Sequence, residues 1–194
     1  EDAARMYVTV IRQVGGDQKW PWESLTNLQQ QKMAMVIDMW TSAAKENHAG
    51  AQFNLGLMYH NGDGVAQDFQ MAAQWFRKAA DQGNAGAQCH RGAMYQHEDG
   101  VAQDLQKAVK WFRKAADQGD VDAQCKLGGA YRGGHGVARD FQKALQWFQK
   151  AADQGHGGAQ YNLGCMYRDG DGVAQDHNKA VQWYQKAADQ GHDG

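Results

Sequence analysis

One pattern returns four times in this chain at a spacing of 36 residues. Ala51-Gln52 recurs as Ala87-Gln88, Ala123-Gln124 and Ala159-Gln160. Each pair is followed by a tyrosine (Tyr59, Tyr95, Tyr131, Tyr167) and a Gly-Val step (Gly64-Val65, Gly100-Val101, Gly136-Val137, Gly172-Val173). A tryptophan comes next (Trp75, Trp111, Trp147, Trp183), ahead of Ala-Ala-Asp-Gln-Gly. Fixed-period self-similarity of this kind marks supersecondary units that cannot bury their apolar faces alone and stack to do so. It predicts a quasi-one-dimensional array, not one central core. The expected division is a cap over 1–47, repeats over 48–83, 84–119, 120–155 and 156–191, and the start of a truncated further repeat at 192–194.

Within the first unit, Ala51, Leu55, Met58 and Tyr59 recur at helical spacing, predicting a helix A over about 49–59. Gly56 lies inside it at a helix cost of up to ~1 kcal/mol. Gly92, Gly128 and Gly164 repeat the choice, so two helices are expected to approach closely there. Asn61-Gly62-Asp63-Gly64 reads as a turn in which glycine supplies positive φ. Asp68 is then the expected N-cap of helix B. Trp75, Ala79, Ala72, Phe76, Phe69 and Ala80 share one face of helix B, with Gln70, Gln74, Arg77, Lys78 and Asp81 opposite. Gly83 follows as a left-handed C-terminal stop.

Helix A has apolar or small residues almost all round, except along a narrow stripe at i, i+3 and i+7, and there the copies disagree most. The first place reads Asn54, His90, Lys126, Asn162; the second Leu57, Ala93, Gly129, Cys165; the third Asn61, His97, Gly133, Asp169. Places that do not change fit packing between repeats, whereas changing places fit a surface that packing does not dictate. The stripe is therefore the candidate partner-binding face, the alternative being drift at solvated positions.

The pattern Leu55-Gly56-x-x-Tyr59-x-x-Gly62-x-Gly64-Val65-x-x-Asp68, then Ala72, Trp75, Ala79-Ala80 and Gly83, resembles the Sel1-like repeat (SLR) family, relatives of tetratricopeptide repeats. The resemblance implies an all-α fold: a right-handed superhelical α-solenoid of antiparallel helix pairs with helix A lining the concave side. It also implies a non-catalytic adaptor, scaffold or linker subunit that holds other proteins together. Departures are Arg91 in a leucine place, Glu98 in a turn-glycine place, and His177 in the place of Phe69. A buried arginine needs an acidic partner or a path to water, and Glu98 or Asp99 is the expected partner. His177 predicts a less buried end.

Outside the repeats, Ala3 to Val14 can form a helix, Trp20-Pro21-Trp22 a rigid aromatic turn, and Ser24 to about Asn47 a longer helix. The last contains Ile37 to Ala44, 36 residues ahead of the helix-B register, and reads as a degenerate helix B. Trp20 and Trp22 are expected to pack over that first pair, with a secondary docking anchor as the functional alternative. The absence of a cap sequence after Gly191 is expected to mean further repeats, or else a partner at that end. Glu1 in first place is compatible with removal of a targeting segment, and the compartment is left open.

Composition narrows the partners. With 20 basic and 22 acidic residues interspersed and a net charge of −2, no basic patch for nucleic acid is visible. No apolar stretch approaches the ~20 residues of a membrane-spanning helix. The three cysteines, Cys89, Cys125 and Cys165, sit one to a repeat, which does not suggest a disulfide framework. Metal-ligand spacing is missing: His48, His156 and His192 occupy one register of different repeats, and His90 and His97 stand two helical turns apart. Asp169-Gly170-Asp171-Gly172 lacks the later ligands of a calcium loop. No cofactor or metal is expected. Two rival readings remain: a glycan or small-molecule receptor with Tyr and Trp platforms, disfavoured because the helix wheel buries those rings, and an enzyme pairing Cys165 with a distant histidine.

Overall fold

The structure is a computed structural model that describes residues 26–189. Nine helices and no strand occur among them: α1 Asn27–Lys45, α2 Ala49–Asn61, α3 Phe69–Asp81, α4 Ala85–His97, α5 Leu105–Asp117, α6 Val121–Gly133, α7 Phe141–Asp153, α8 Gly157–Asp169 and α9 His177–Asp189. Helices α2, α4, α6 and α8 are the A type, and α3, α5, α7 and α9 the B type. The chain divides into two compact units, one ending at Gln103 and one beginning at Asp104. The readings on Ala3 to Val14, Trp20, Trp22 and residues 192–194 lie outside the described residues.

The B helices begin where an aspartate accepts the first free amides. Asp68 receives Gln70 N–H and Met71 N–H, both at 2.9 Å. Asp104, Asp140 and Asp176 receive the amides of Lys107, Lys143 and Lys179 at 2.9, 3.0 and 3.0 Å. These helices end at Gly83, Gly119 and Gly155, whose φ values of +90°, +92° and +88° lie in the left-handed region. Between cap and stop, one face is buried: Ala72, Phe76, Ala79 and Ala80 in α3, and Ala144, Phe148, Ala151 and Ala152 in α7. The tryptophans differ from the wheel-based expectation. Trp75, Trp111, Trp147 and Trp183 are only half-buried, each under the ammonium of the lysine three residues on, at 4.2–4.3 Å from the ring centre. After the first three, the phenylalanine next in sequence (Phe76, Phe112, Phe148) fills the core because the helix turns it 100° further inward, while Tyr184 after Trp183 is half-buried.

The mid-helix glycines of helix A have a specific cause. A Cβ on Gly56 would stand 2.5 Å from the Phe76 ring, one on Gly128 2.8 Å from Phe148, and one on Gly164 2.5 Å from Tyr184. An aromatic ring of the paired B helix occupies the space a side chain would take, so the close approach is ring to backbone.

The buried glutamine of the Ala-Gln pair ties each A helix to the B helix before it. Gln52, Gln88, Gln124 and Gln160 donate to the carbonyls of Ala44, Ala80, Ala116 and Ala152 at 3.1, 3.2, 3.3 and 3.3 Å. Those carbonyls stand in the last turn of a helix, beyond the regular helical ladder, and each also accepts the backbone amide three residues on, at 3.0–3.1 Å.

In the first unit the core starts in α1, with Met33, Val36, Trp40 and Ala44 packed with Ala51, Leu55 and Met58 of α2. Val36 and Trp40 stand 36 residues before Ala72 and Phe76. Arg91 pairs with Asp81 of α3, Nη1 to Oδ1 at 3.1 Å, an acid on the preceding helix, where its sequence neighbours suggested Glu98 or Asp99. Its side chain points back toward the N-terminus of α4, as helical side chains do, and there meets the end of α3. In the second unit Phe112, Leu127, Phe148, Leu163 and Met166 form the buried centre. His177 is exposed, in line with its replacing a phenylalanine.

Candidate functional site

The stripe residues of the first unit lie on α2 and α4. Asn54, Leu57, His90 and Ala93 are half-buried, and Asn61 and His97 are exposed. Asn61 is held at the end of α2: its Nδ2 donates to Asp63 Oδ2 at 3.1 Å, and its Oδ1 lies 3.0 Å from His60 Nδ1. His90 is part of an aromatic group. Its imidazole stacks on Phe76 with ring centres 4.8 Å apart and 11° between planes, 5.7 Å from Phe53 and 6.0 Å from His60. Phe53 and His60 were absent from the sequence-based stripe. The available signal was that His60 has no aromatic counterpart among Gln96, Arg132 and Arg168.

The stripe of the second unit, on α6 and α8, is polar and partly bare. Lys126 is exposed, with its ammonium 5.9 Å from the Phe112 ring. A Cβ added to Gly129 would meet nothing within 4 Å, whereas one on Gly133 would strike the His135 imidazole at 2.5 Å. Arg132 links the two helices, reaching Asn162 Oδ1 at 3.4 Å, Asp169 Oδ2 at 3.3 Å and Asp171 Oδ2 at 3.2 Å. Asn162 Nδ2 also donates to the Gly158 carbonyl at 2.7 Å. Arg168 completes the cluster at 2.7 Å from Asp169 Oδ1, and its guanidinium holds the Asp169 carboxyl below the usual carboxylate range. Cys165 is the exception on this face. It is 5% exposed and its sulfur takes the Tyr184 hydroxyl at 3.4 Å, so it belongs to the packing against α9 and not to a contact surface.

The chain is a series of 36-residue helix pairs, and the Sel1 repeat model matches it four times, at residues 49–84, 85–120, 121–156 and 158–192. The chain belongs to the Sel1 repeat family. Proteins of this family are generally non-enzymatic and serve as scaffolds for protein–protein interaction. Solved Sel1-repeat structures resemble it closely. A protective antigen of uropathogenic Escherichia coli with the SLR fold is 40% identical, with a TM-score of 0.77 over 80% of this chain and 33% of its own. A Sel1 repeat protein of Oxalobacter formigenes is 39% identical, with a TM-score of 0.77 over 84% of this chain and 65% of its own. An immunity protein of Pseudomonas aeruginosa is 26% identical, with a TM-score of 0.64 over 98% of this chain and 66% of its own. The chain thus spans about a third of the first of these relatives and about two thirds of the other two. Among curated proteins, none matches.

The thiols of these Sel1 repeats are placed for packing. Burial pushes the Cys125 thiol up to about 11, which leaves it protonated and a weak nucleophile at neutral pH. Nearby His156 is engaged on both ring nitrogens: Nδ1 accepts from Ala159 N–H at 3.0 Å as the N-cap of α8, and Nε2 lies 3.2 Å from Asp122 Oδ1. Such a histidine is anchored as a helix cap and has no free nitrogen to take a proton from sulfur. Among the described residues, no helix is long and apolar enough to cross a membrane.

Proposed function

We propose that this Sel1-repeat chain is a scaffold or adaptor that holds segments of partner proteins on the A-helix stripe: Asn54, Leu57, Asn61, His90, Ala93 and His97 in the first unit, and Lys126, Gly129, Gly133, Asn162 and Asp169 in the second. One observation supports it above the others. Several places that repeat without change, Gln52 and Ala72 with their copies among them, are buried in the stack. Apart from Cys165, the places of the stripe are half-buried or exposed. The fold leaves those positions free to differ, and they carry the hydrogen-bonding, cationic and aromatic groups that peptide recognition uses. Kinship to a protective antigen and an immunity protein supports a role exercised by binding.

The test replaces His90, His97 and Lys126 together with alanine and compares recovery of native partners by the purified variant and wild type. Loss of partners that the wild type retains is expected. Undiminished recovery, with an unchanged helical spectrum, overturns the placement of the binding face.

A further inference from the structure

Each unit carries a groove away from the A-helix stripe, and the two are one groove shifted by a repeat. In the first unit, Gln70, Gln74 and Arg77 of α3 face Arg91 and the Gly100-Val101 step around about 330 Å³. In the second, Gln106, Lys110 and Arg113 of α5 face Gly136-Val137 around about 490 Å³. Lining positions 70, 74, 77, 100 and 101 thus return at 106, 110, 113, 136 and 137. The geometry follows from the repeat: helix B presents one row of side chains at i, i+4 and i+7, and the Gly-Val step opposite has little bulk.

The chemistry of the grooves is cationic. Arg77 and Lys110 are exposed, and no ion pair engages either among the described residues. Arg91 is balanced by Asp81 at 3.1 Å. Arg113 donates to the neutral hydroxyl of Tyr131 and keeps its charge. Lys114 also lines the second groove, against a single acid, Asp117. The next copy of the same surface differs. There Gln146 and Gln149 replace the cations, and Gln142 reaches across to the Gly172 carbonyl at 2.6 Å. That copy builds the same helix pair without the charges, so the charges are surplus to stacking.

We propose that each of these grooves binds an acidic segment of a partner protein, taking a carboxylate side chain against its arginine or lysine, with the groove glutamines as further donors. A guanidinium and a carboxylate match as a two-bond fork, and an ammonium adds a point charge. The inference rests on the chain being a protein-interaction module but uses a surface separate from the A-helix stripe.

The experiment follows the fluorescence anisotropy of a fluorescein-labelled octaglutamate peptide titrated with the full chain at low salt and at about 0.3 M salt, where exposed charges are largely screened. The groove variant carries Arg77→Gln, Lys110→Gln and Arg113→Gln, the residue type that the next copy uses. A control variant carries Lys78→Gln, Lys150→Gln and Lys186→Gln, which removes equal charge from lysines lying over tryptophan rings outside the grooves. Salt-sensitive binding is expected, weakened at least about tenfold in the groove variant and less than about twofold in the control. The A-helix variant with alanine at 90, 97 and 126 is expected to bind the peptide like wild type.

No binding to wild type, equal loss in groove and control variants, or tighter binding of a single-stranded oligonucleotide of equal charge overturns the proposal. Loss in the A-helix variant alone also overturns it, while leaving the A-helix reading standing.

Discussion

The side-chain amide of Gln124 donates to the carbonyl of Ala116, eight residues earlier and at the end of the preceding helix, while its own oxygen accepts from Gln154 at 2.8 Å. One buried residue therefore satisfies a helix terminus behind it and anchors the turn ahead. Gln52 repeats both bonds, to Ala44 and from Gln82. The Ala116 carbonyl also accepts from the Gly119 amide at 3.0 Å, so the glutamine supplies a second bond there, worth about 0.5–1.5 kcal/mol. Gln124→Leu, which keeps the volume and removes both bonds, is expected to destabilise the protein by that amount. In a domain of this size each kcal/mol lowers the melting temperature by about 2–4 °C. A melt that coincides with the wild type's would show that the bond is dispensable.

Adjacent glycines in α6 are expected to respond in opposite directions. A Cβ on Gly128 would stand 2.8 Å from the ring of Phe148, which is completely buried and has nowhere to move. Overpacking of this kind costs about 1–3 kcal/mol, more than the gain in helix propensity. A Cβ on Gly129 meets nothing within 4 Å, so only the propensity gain of about 1 kcal/mol acts there. Gly128→Ala should lower the urea midpoint and Gly129→Ala should raise it. Two shifts of the same sign would break the account.

Glu98 ends α4 with φ +66°, where Gly62, Gly134 and Gly170 end their helices at +80°, +73° and +76°. A side chain in this region costs about 1–2 kcal/mol relative to glycine, of which about 0.4–1 is returned because the unfolded glycine chain is freer. Glu98→Gly is expected to stabilise the protein by about 0.5–1 kcal/mol, read as a higher midpoint in equilibrium unfolding. A lower midpoint would show that the Glu98 side chain makes a contribution of its own.

The repeat register, the aspartate caps and the stopping glycines were legible because each is a local rule acting within one helical turn. What was not legible depends on which residue lies opposite. Gly56 announced a packing constraint, but only the paired helix shows that a Phe76 ring causes it. The Ala-Gln pair was visible as a motif, yet a bond that runs back across a turn to a helix end has no signature in spacing. Arg91 found Asp81 on the preceding helix because its side chain leans backward, while sequence proximity pointed forward to Glu98 and Asp99. Cys165 had the spacing of a surface stripe, yet it is buried and its sulfur accepts from the Tyr184 hydroxyl of α9.

Acid should weaken the fold through groups identified by their surroundings. The amide of Lys107 holds Asp104 below the ordinary carboxylate range, that of Lys143 does the same for Asp140, and the Arg168 guanidinium does so for Asp169. A carboxylate whose folded pKa lies below its unfolded value of about 3.9 binds protons more readily when unfolded. Its stabilisation is thus present above that value and is lost as pH falls through the folded pKa. Urea midpoints are expected to decline from about pH 5 toward pH 3. Asparagine at 104 and 140 can still accept the capping amide but does not titrate. The double variant Asp104→Asn, Asp140→Asn should therefore start somewhat less stable at neutral pH, having lost the ion pairs to Lys107 and Lys143 at 3.1 and 3.0 Å. It should then fall less steeply than wild type on acidification. Parallel pH profiles for the two proteins would assign the acid sensitivity to other carboxylates.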